Sequence, residues 1–275
     1  MGTKIEWTDE TWNPVSGCDP VSRGCDNCYA RRDAQRLKGR FGYPELNPFR
    51  VTMHSDRLAQ PFRWKRPRKI FVCSMGDLFH PDVDRSFIQD VFATMGHAHR
   101  HTFQILTKRP EWARAFLNMS YFPPGYYEDY GSISGQEPWP LPNVQMGVSV
   151  EDQLTYDLRV SFLLQIAAAV RFVSCEPLLG RIRLDDINDG YCYRSSLSIK
   201  EEYSPRTRMD WVIVGAETGP GARYMDPDWA RDIRDQCRAA GVPFFMKSVS
   251  RGETIPDDLM IREFPNTGGE DGTAV

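Results

Sequence analysis

Cys18, Cys25 and Cys28 stand in the spacing C-x6-C-x2-C on one short stretch, with Gly17 before the first and Gly24 before the second. Thiolate is the ligand iron–sulfur clusters use, so three such groups on one loop can hold three irons of a cubane cluster. The fourth coordination position is then open to a small molecule. The two glycines suit a loop that bends tightly and turns backbone N–H groups toward sulfur. A structural zinc site is the alternative, and such sites are commonly closed by four ligands. The next candidates along the chain are His54 and Cys73, which would have to arrive through folding. Seven cysteines make an odd total, with Cys73, Cys175, Cys192 and Cys237 scattered. That distribution fits metal ligation in a reducing compartment better than a disulfide framework.

Other residues with useful chemistry sit where apolar runs stop. Ser74, Gly76 and Asp77 follow Lys69–Cys73; Lys108 and Arg109 follow Thr102–Leu106; Ser149 and Glu151 alternate at the end of Val144–Val150. Cys175 and Glu176 follow Val170–Ser174, Gly215 and Glu217 follow Trp211–Val214, and Lys247 follows Pro243–Met246. Asp77 would accept from an ammonium or cap the next turn. Paired cations such as Lys108 and Arg109 could hold a carboxylate or phosphate, with Arg109 suited to two-point contact. Glu151 could contact a ligand or serve as a helix-start carboxylate. Cys175 is either a hydrogen-atom donor or a small buried apolar residue, and Glu176 could orient substrate. The stretch from Gly215 to Gly221 lacks the dinucleotide-binding spacing and reads as a loop cradling a cofactor. His97, His99 and His101 alternate near a helix end, where positive charge is favourable.

The elements that must position these groups follow from pattern. Several of the six runs are β-branched and aromatic throughout rather than alternating, as in strands covered on both faces of a parallel sheet. Between them lie stretches with helical spacing, such as Phe87, Val91 and Met95, or Leu158, Phe162, Leu163 and Ile166. Tyr29–Leu37 reads as a helix starting beyond the last clustered cysteine. Asp226 and Pro227 open another through Trp229–Ala240, closed by Gly241. Alternation of this kind makes an α/β fold of right-handed βαβ units, either a closed or partial barrel or a doubly wound sheet. A single domain over residues 1–265 is expected, with insertions at about 121–142 and 183–208 and a disordered tail at 266–275. With 34 basic and 37 acidic residues in 275, no global field points to nucleic acid or membrane. No apolar stretch spans a bilayer, and a cytoplasmic chain is expected.

Taken together, the cysteine segment, Met75–His80, Leu106–Pro110, Gly147–Glu151, Ser174–Gly180 and Gly215–Gly219 resemble the phage Gp37/Gp68 (three-Cys-motif) family, which is similar to radical S-adenosylmethionine (SAM) enzymes. The resemblance implies a partial (β/α)6 TIM-like barrel with the cluster loop after its first strand. It implies a [4Fe-4S] cluster on Cys18, Cys25 and Cys28, with the unique iron binding SAM. Reductive cleavage would then yield a 5′-deoxyadenosyl radical, using an electron donor. In this reading Tyr29, Ser74, Gly76, Asp77, Ser149, Glu151, Gly215 and Glu217 contact cofactor, Lys108, Cys175 and Glu176 are catalytic, and Arg109 and Lys247 bind substrate. The expected substrate is a nucleic-acid base or nucleotide. Arg206 to Arg208 and Tyr126, Tyr127 and Tyr130 could add phosphate contacts and stacking. The mildly acidic chain argues against tight non-specific DNA binding. The competing expectation is a zinc- or cluster-stabilised accessory binding protein without catalysis.

Overall fold

The structure, a computed structural model, describes residues 3, 5–118, 139–184, 187–188, 193–194 and 208–266. Its centre is a seven-stranded sheet in which every pair is parallel. The strands are β1 (Glu10–Trp12), β4 (Lys69–Val72), β5 (Thr102–Thr107), β6 (Val144–Val150), β7 (Val170–Cys175), β10 (Trp211–Gly215) and β11 (Phe244–Ser248). Two short antiparallel pairs lie apart from it, β2 (Val15–Ser16) with β3 (Thr52–Met53) and β8 (Ile187–Asn188) with β9 (Tyr193–Arg194). The helices are α1 (Tyr29–Arg36), α2 (Arg85–His97), α3 (Pro110–Asn118), α4 (Gln153–Leu163) and α5 (Pro227–Ala240).

The strand order runs β1-β4-β5-β6-β7-β10-β11, rising along the chain without reversal. A doubly wound sheet reverses direction from its first strand, so this order excludes it and defines a singly wound partial barrel. The barrel has seven strands where the family resemblance implied six. Three-residue β1, ahead of the cysteines, is the strand that no apolar run announced. Strands β6, β7 and β10 are buried along their whole length, as their unbroken apolar runs require.

Period-two alternation divides these strands between two cores. Val72, Ile105, Val148, Val173, Val212 and Val214 pack outward under the helices. Phe71, Phe172, Ile213, Phe245 and Trp211 form a second, inner cluster that is completed by Trp7 from the segment before β1. Trp7 lies 4.8 Å from Phe71 and 6.2 Å from both Phe172 and Trp211, ring centre to ring centre. Helix caps match the sequence signals. Asp226 accepts from Asp228 N–H at the start of α5, and Gly241 closes it in the left-handed conformation at φ 64°.

The expected insertions and tail, with Tyr126, Tyr127, Tyr130, Cys192 and Arg206, fall almost wholly outside the described residues. Among the described residues no helix is long and apolar enough to cross a membrane.

Candidate functional site

The loop carrying the three cysteines leaves β2 and ends in α1, with Cys28 as the N-cap of that helix. The unpaired N–H groups of the first helical turn therefore lie beside Cys28, an environment that favours negative charge. Ala30 and Ala34 turn the buried face of α1 inward, while Arg31 and Arg36 project outward. Two glycines let the loop lie flat on the turn after β4. Gly17, at φ 86°, donates from its N–H to Met75 O at 2.9 Å and pairs with Gly76. A Cβ at Gly17 would come within 2.2 Å of Arg50 O, and one at Gly76 within 2.8 Å of Gly17 O.

Cys18, Cys25 and Cys28 all line one cavity of about 510 Å³ at the carboxyl ends of the strands. Its walls include Tyr29, Ser74, Gly76, Asp77, Lys108, Arg109, Ser149, Glu176, Glu217 and Lys247, so most of the expected site residues do converge there. Glu151, Gly215 and Cys175 are not in its lining.

Arg109, 5% exposed, donates from Nη1 to Cys18 Sγ at 3.1 Å and from Nη2 to Asp19 O at 2.9 Å. Its guanidinium thus grips the cysteine loop. Burial and the Asp77 charge nevertheless push the Cys18 thiol up to about 11, against Arg109. For Cys25 burial also acts upward, but Lys108 and hydrogen bonds from Val21 and Ser22 outweigh it and hold the thiol below its ordinary value. Asp77 accepts from Thr107 Oγ1 at 2.8 and 3.0 Å, from Lys108 N–H at 3.1 Å and from Phe79 N–H at 3.1 Å. Arg109 lies 3.5 Å from it. Both carboxylate oxygens are engaged, so Asp77 ties the ends of β4 and β5 together besides capping its own turn.

Glu151 is fully buried and saturated. It meets Lys108 Nζ at 2.5 Å, Arg159 Nη1 at 3.1 Å and Ser22 Oγ at 2.9 Å. Burial pushes its carboxyl up, but Lys108 and Arg159 overcome that and hold it below the usual carboxylate range. A Cβ at Gly24 would lie 2.3 Å from Glu151 Oε1, so Gly24 is what lets the cysteine loop settle on this carboxylate. Glu217 plays the matching part on the opposite wall. It accepts from Asn27 Nδ2, Arg223 N and Arg223 Nε, each at 2.9 Å, and Arg223 also reaches Asp26 at 3.1 Å.

Tyr29 donates from its hydroxyl to Ser74 O at 2.6 Å, and Ser149 donates to Glu176 O at 3.0 Å. Glu176 is paired with Lys247. It reaches β11 by crossing β10 at Gly215, where a Cβ would lie 3.2 Å from Glu176 Cδ and 3.2 Å from Ser248 Oγ. Gly215 is therefore a gap in the wall for a neighbour's side chain. Of the two roles weighed for Cys175, hydrogen-atom donor and small buried apolar residue, its place in the outer core near Cys237 suits the second, and burial pushes its thiol up there. Strand β7 continues one residue beyond the expected run, and its alternation turns Ser174 and Glu176 toward the cavity and Cys175 into the outer core.

The neighbours considered for a fourth ligand are otherwise occupied. His54 Nε2 lies 2.7 Å from Ser16 Oγ, and burial with Arg57 nearby pushes its pKa down to about 4. Cys73 also borders the cavity, but it packs in the core with Trp12 and Val15 at 2% exposure, and burial pushes its thiol up to about 12. A tetrahedral zinc ion with Zn–S of about 2.3 Å draws thiolate sulfurs to about 3.8 Å apart. Among the described residues the trio that gathers its ligand atoms within 4.8 Å is Asp19, His80 and Asp82, not the three thiols. Three thiols on one loop facing one cavity supply the donor type that an iron–sulfur cluster takes. Ser22, Asn27, Arg159, Arg223, Ser174 and Trp7 carried no expectation from sequence. Asn27, inside the C-x2-C segment, is the one whose position could have drawn attention.

The fold has likenesses among solved structures. Spore photoproduct lyase complexed with dinucleoside spore photoproduct has a TM-score of 0.48 and 10% identity, over 90% of this chain and 78% of that one. Two single-site mutants of that enzyme score 0.47 and 0.48, at 10% and 9% identity, over 90% and 91% of this chain and 78% and 79% of theirs. No curated protein matches. Residues 2–270 match the profile of a family described as protein of unknown function, DUF5131, which spans nearly the whole chain including every residue of the cavity. The chain belongs to the DUF5131 family.

Proposed function

We propose that the chain is a radical SAM-type iron–sulfur enzyme acting on a nucleic-acid base or nucleotide, as the resemblance to Gp37/Gp68 proteins also suggests. The observation that carries this reading is the meeting of three thiols from one loop in a cavity that strand-end polar side chains also line, among apolar ones. A [4Fe-4S] cluster held by Cys18, Cys25 and Cys28 would supply one-electron reduction of SAM, with the electron delivered by an external donor.

The chain's own residues divide that work. Arg109 and the N-terminus of α1 offset negative charge at Cys18 and Cys28. Glu151 and Glu217, each anchored by arginine, fix the two flanks of the cysteine loop. Tyr29, Ser74, Gly76 and Ser149 line the space next to the thiols, where a SAM molecule would lie. Lys108, expected as catalytic, is committed to Glu151 and acts by lowering the Cys25 thiol's pKa. Glu176 and Lys247 face the same cavity as a neutral pair toward substrate. A cytoplasmic setting, where thiols stay reduced, suits six described cysteines that are all free.

Anaerobic reconstitution should give about four irons per chain, and reduction with SAM present should release 5′-deoxyadenosine. Recovery of zinc alone would reject the cluster. An intact cluster that leaves SAM uncleaved under reduction would reject radical initiation.

A further inference from the structure

The cavity also holds polar groups that the assignments above leave unused. Trp7 and Ser174 both line the cavity and are 2% and 1% exposed, yet among the described residues Trp7 Nε1 and Ser174 Oγ have no hydrogen-bond partner. A buried donor or acceptor left unpaired is costly, and native structures rarely keep one without a ligand or water to meet it. Ser174 stands two positions before Glu176 on the same side of its strand, and Glu176 is held by Lys247. Trp7, Phe71, Leu106 and Ile5 supply apolar walls at the same level.

The hydrogen-bonding inventory of this floor is lopsided. Trp7 Nε1–H and Lys247 only donate, Glu176 only accepts, and Ser174 can do either. An occupant that satisfies all four needs more acceptor lone pairs than donor hydrogens, with at least one N–H for Glu176. The Glu176–Lys247 pair is neutral as a unit, so a neutral occupant leaves its charge balance intact. Aromatic and aliphatic walls favour a flat ring.

We propose that this floor is a substrate subsite that takes the lactam edge of a planar heterocycle, a ring carbonyl beside a ring N–H. Uracil-type and guanine-type bases present that edge and adenine does not. The inference deepens the proposed function and rests on that reading for the cysteine side of the cavity being the cofactor end. Its own basis is Trp7, Ser174, Glu176 and Lys247.

Titration calorimetry on the anaerobically reconstituted full chain, with uridine and adenosine as probes, tests it. Uridine should bind and adenosine should not displace it. Ser174→Ala and Trp7→Phe each remove one hydrogen-bonding group with little change of shape. Each should weaken uridine about 5-fold, while Glu176→Gln and Lys247→Met should weaken it about 10- to 100-fold. Removing an unpartnered buried group should leave the thermal midpoint of Ser174→Ala at or above that of the parent, which controls for folding. The proposal is overturned if uridine fails to bind protein with its full iron content, or binds all four variants equally well. Adenosine binding that is lost in step with uridine across the variants would also overturn it. A chain that takes up no iron yet binds uridine through Glu176 would sink the cofactor reading and keep this subsite, so the two failures are distinguishable.

Discussion

At the scale of single residues, the site is governed by carboxylates that have already found cations. Glu151 would be a natural ligand for a ribose or ammonium if it were free, but Lys108 and Arg159 enclose it in a buried cluster. Replacing it by glutamine keeps the shape and leaves buried Arg159 and half-buried Lys108 without their counter-ion. Breaking a buried pair this way costs about 3–5 kcal/mol, and urea denaturation of Glu151→Gln should show a loss at the low end of that range. Lys108→Met should cost less, because Arg159 still neutralises the carboxylate. A Glu151→Gln chain as stable as the parent would mean that the carboxylate is not structural. Arg109 gives the complementary case. Its N–H···S contact with Cys18 places a donor and a positive charge on a thiol that the proposed function makes a cluster ligand, and both would raise that cluster's reduction potential. A redox titration of the reconstituted Arg109→Gln protein should therefore show a lower midpoint than the parent. An unchanged potential would remove Arg109 from the thiol environment.

At the scale of elements, the three cysteines, the helix behind them and the six longer strands were legible because each follows a local rule. Thiolate spacing, the helix-forming run Tyr29–Leu37 and unbroken apolar runs all act over a few residues. Ser174 and Cys175 show where local rules fail. An unbroken apolar run does not say which of its alternate positions face inward, and only the register with β6 and β10 settles which side chain meets the cavity. Arg159 was illegible for a related reason, since it reaches Glu151 from a helix whose start is fixed by the Asp152–Thr155 capping box. The tether between the cysteine loop and the loop after β10 could not be read either, because Asn27 and Glu217 are separated by 190 positions. That tether is pH-sensitive. Burial acts upward on Glu217, but hydrogen bonds from Arg223 and Asn27 prevail and hold its pKa down at about 2. A carboxylate depressed in the folded state stabilises fully above its unfolded pKa of about 4.3, and loses that contribution as pH falls toward about 2. The stability gap between parent and Glu217→Gln should thus be constant above about pH 5 and shrink steadily below it, in denaturation series at each pH. A gap that stays constant down to pH 3 would show that Glu217 does not titrate with folding.

At the scale of the whole molecule, a sheet of seven strands that does not close has a seam between β1 and β11, where the segment before β1 meets the segment 261–264. Segment Ile261–Glu263 runs antiparallel to β11, with Met246 N–H donating to Ile261 O at 2.9 Å and Glu263 N–H to Phe244 O at 3.0 Å. Arg262 reaches Glu6 at 2.5 Å, and Phe264 packs on Trp211 and Phe245 with Lys69 Nζ 3.7 Å above its ring. These contacts cover the edge of β11, which would otherwise offer unpaired backbone to other chains. They also back the Trp7 floor, because Trp211 touches both Trp7 and Phe264. The apolar contact should outweigh the ion pair. Arg262 and Glu6 are partly exposed, and such pairs contribute about 0–1 kcal/mol. A fully buried phenylalanine loses about 3–5 kcal/mol on truncation, so Phe264, at 38% exposure, should lose about 2 kcal/mol. Chemical denaturation should rank Phe264→Ala well below Arg262→Ala in stability, with Trp7→Ala lower still because it empties the centre of the inner cluster. If Phe264→Ala and Arg262→Ala are equally mild, the seam is held by backbone pairing alone. The floor would then owe its shape to Trp7 and the inner strands, and uridine binding should survive Phe264→Ala unchanged.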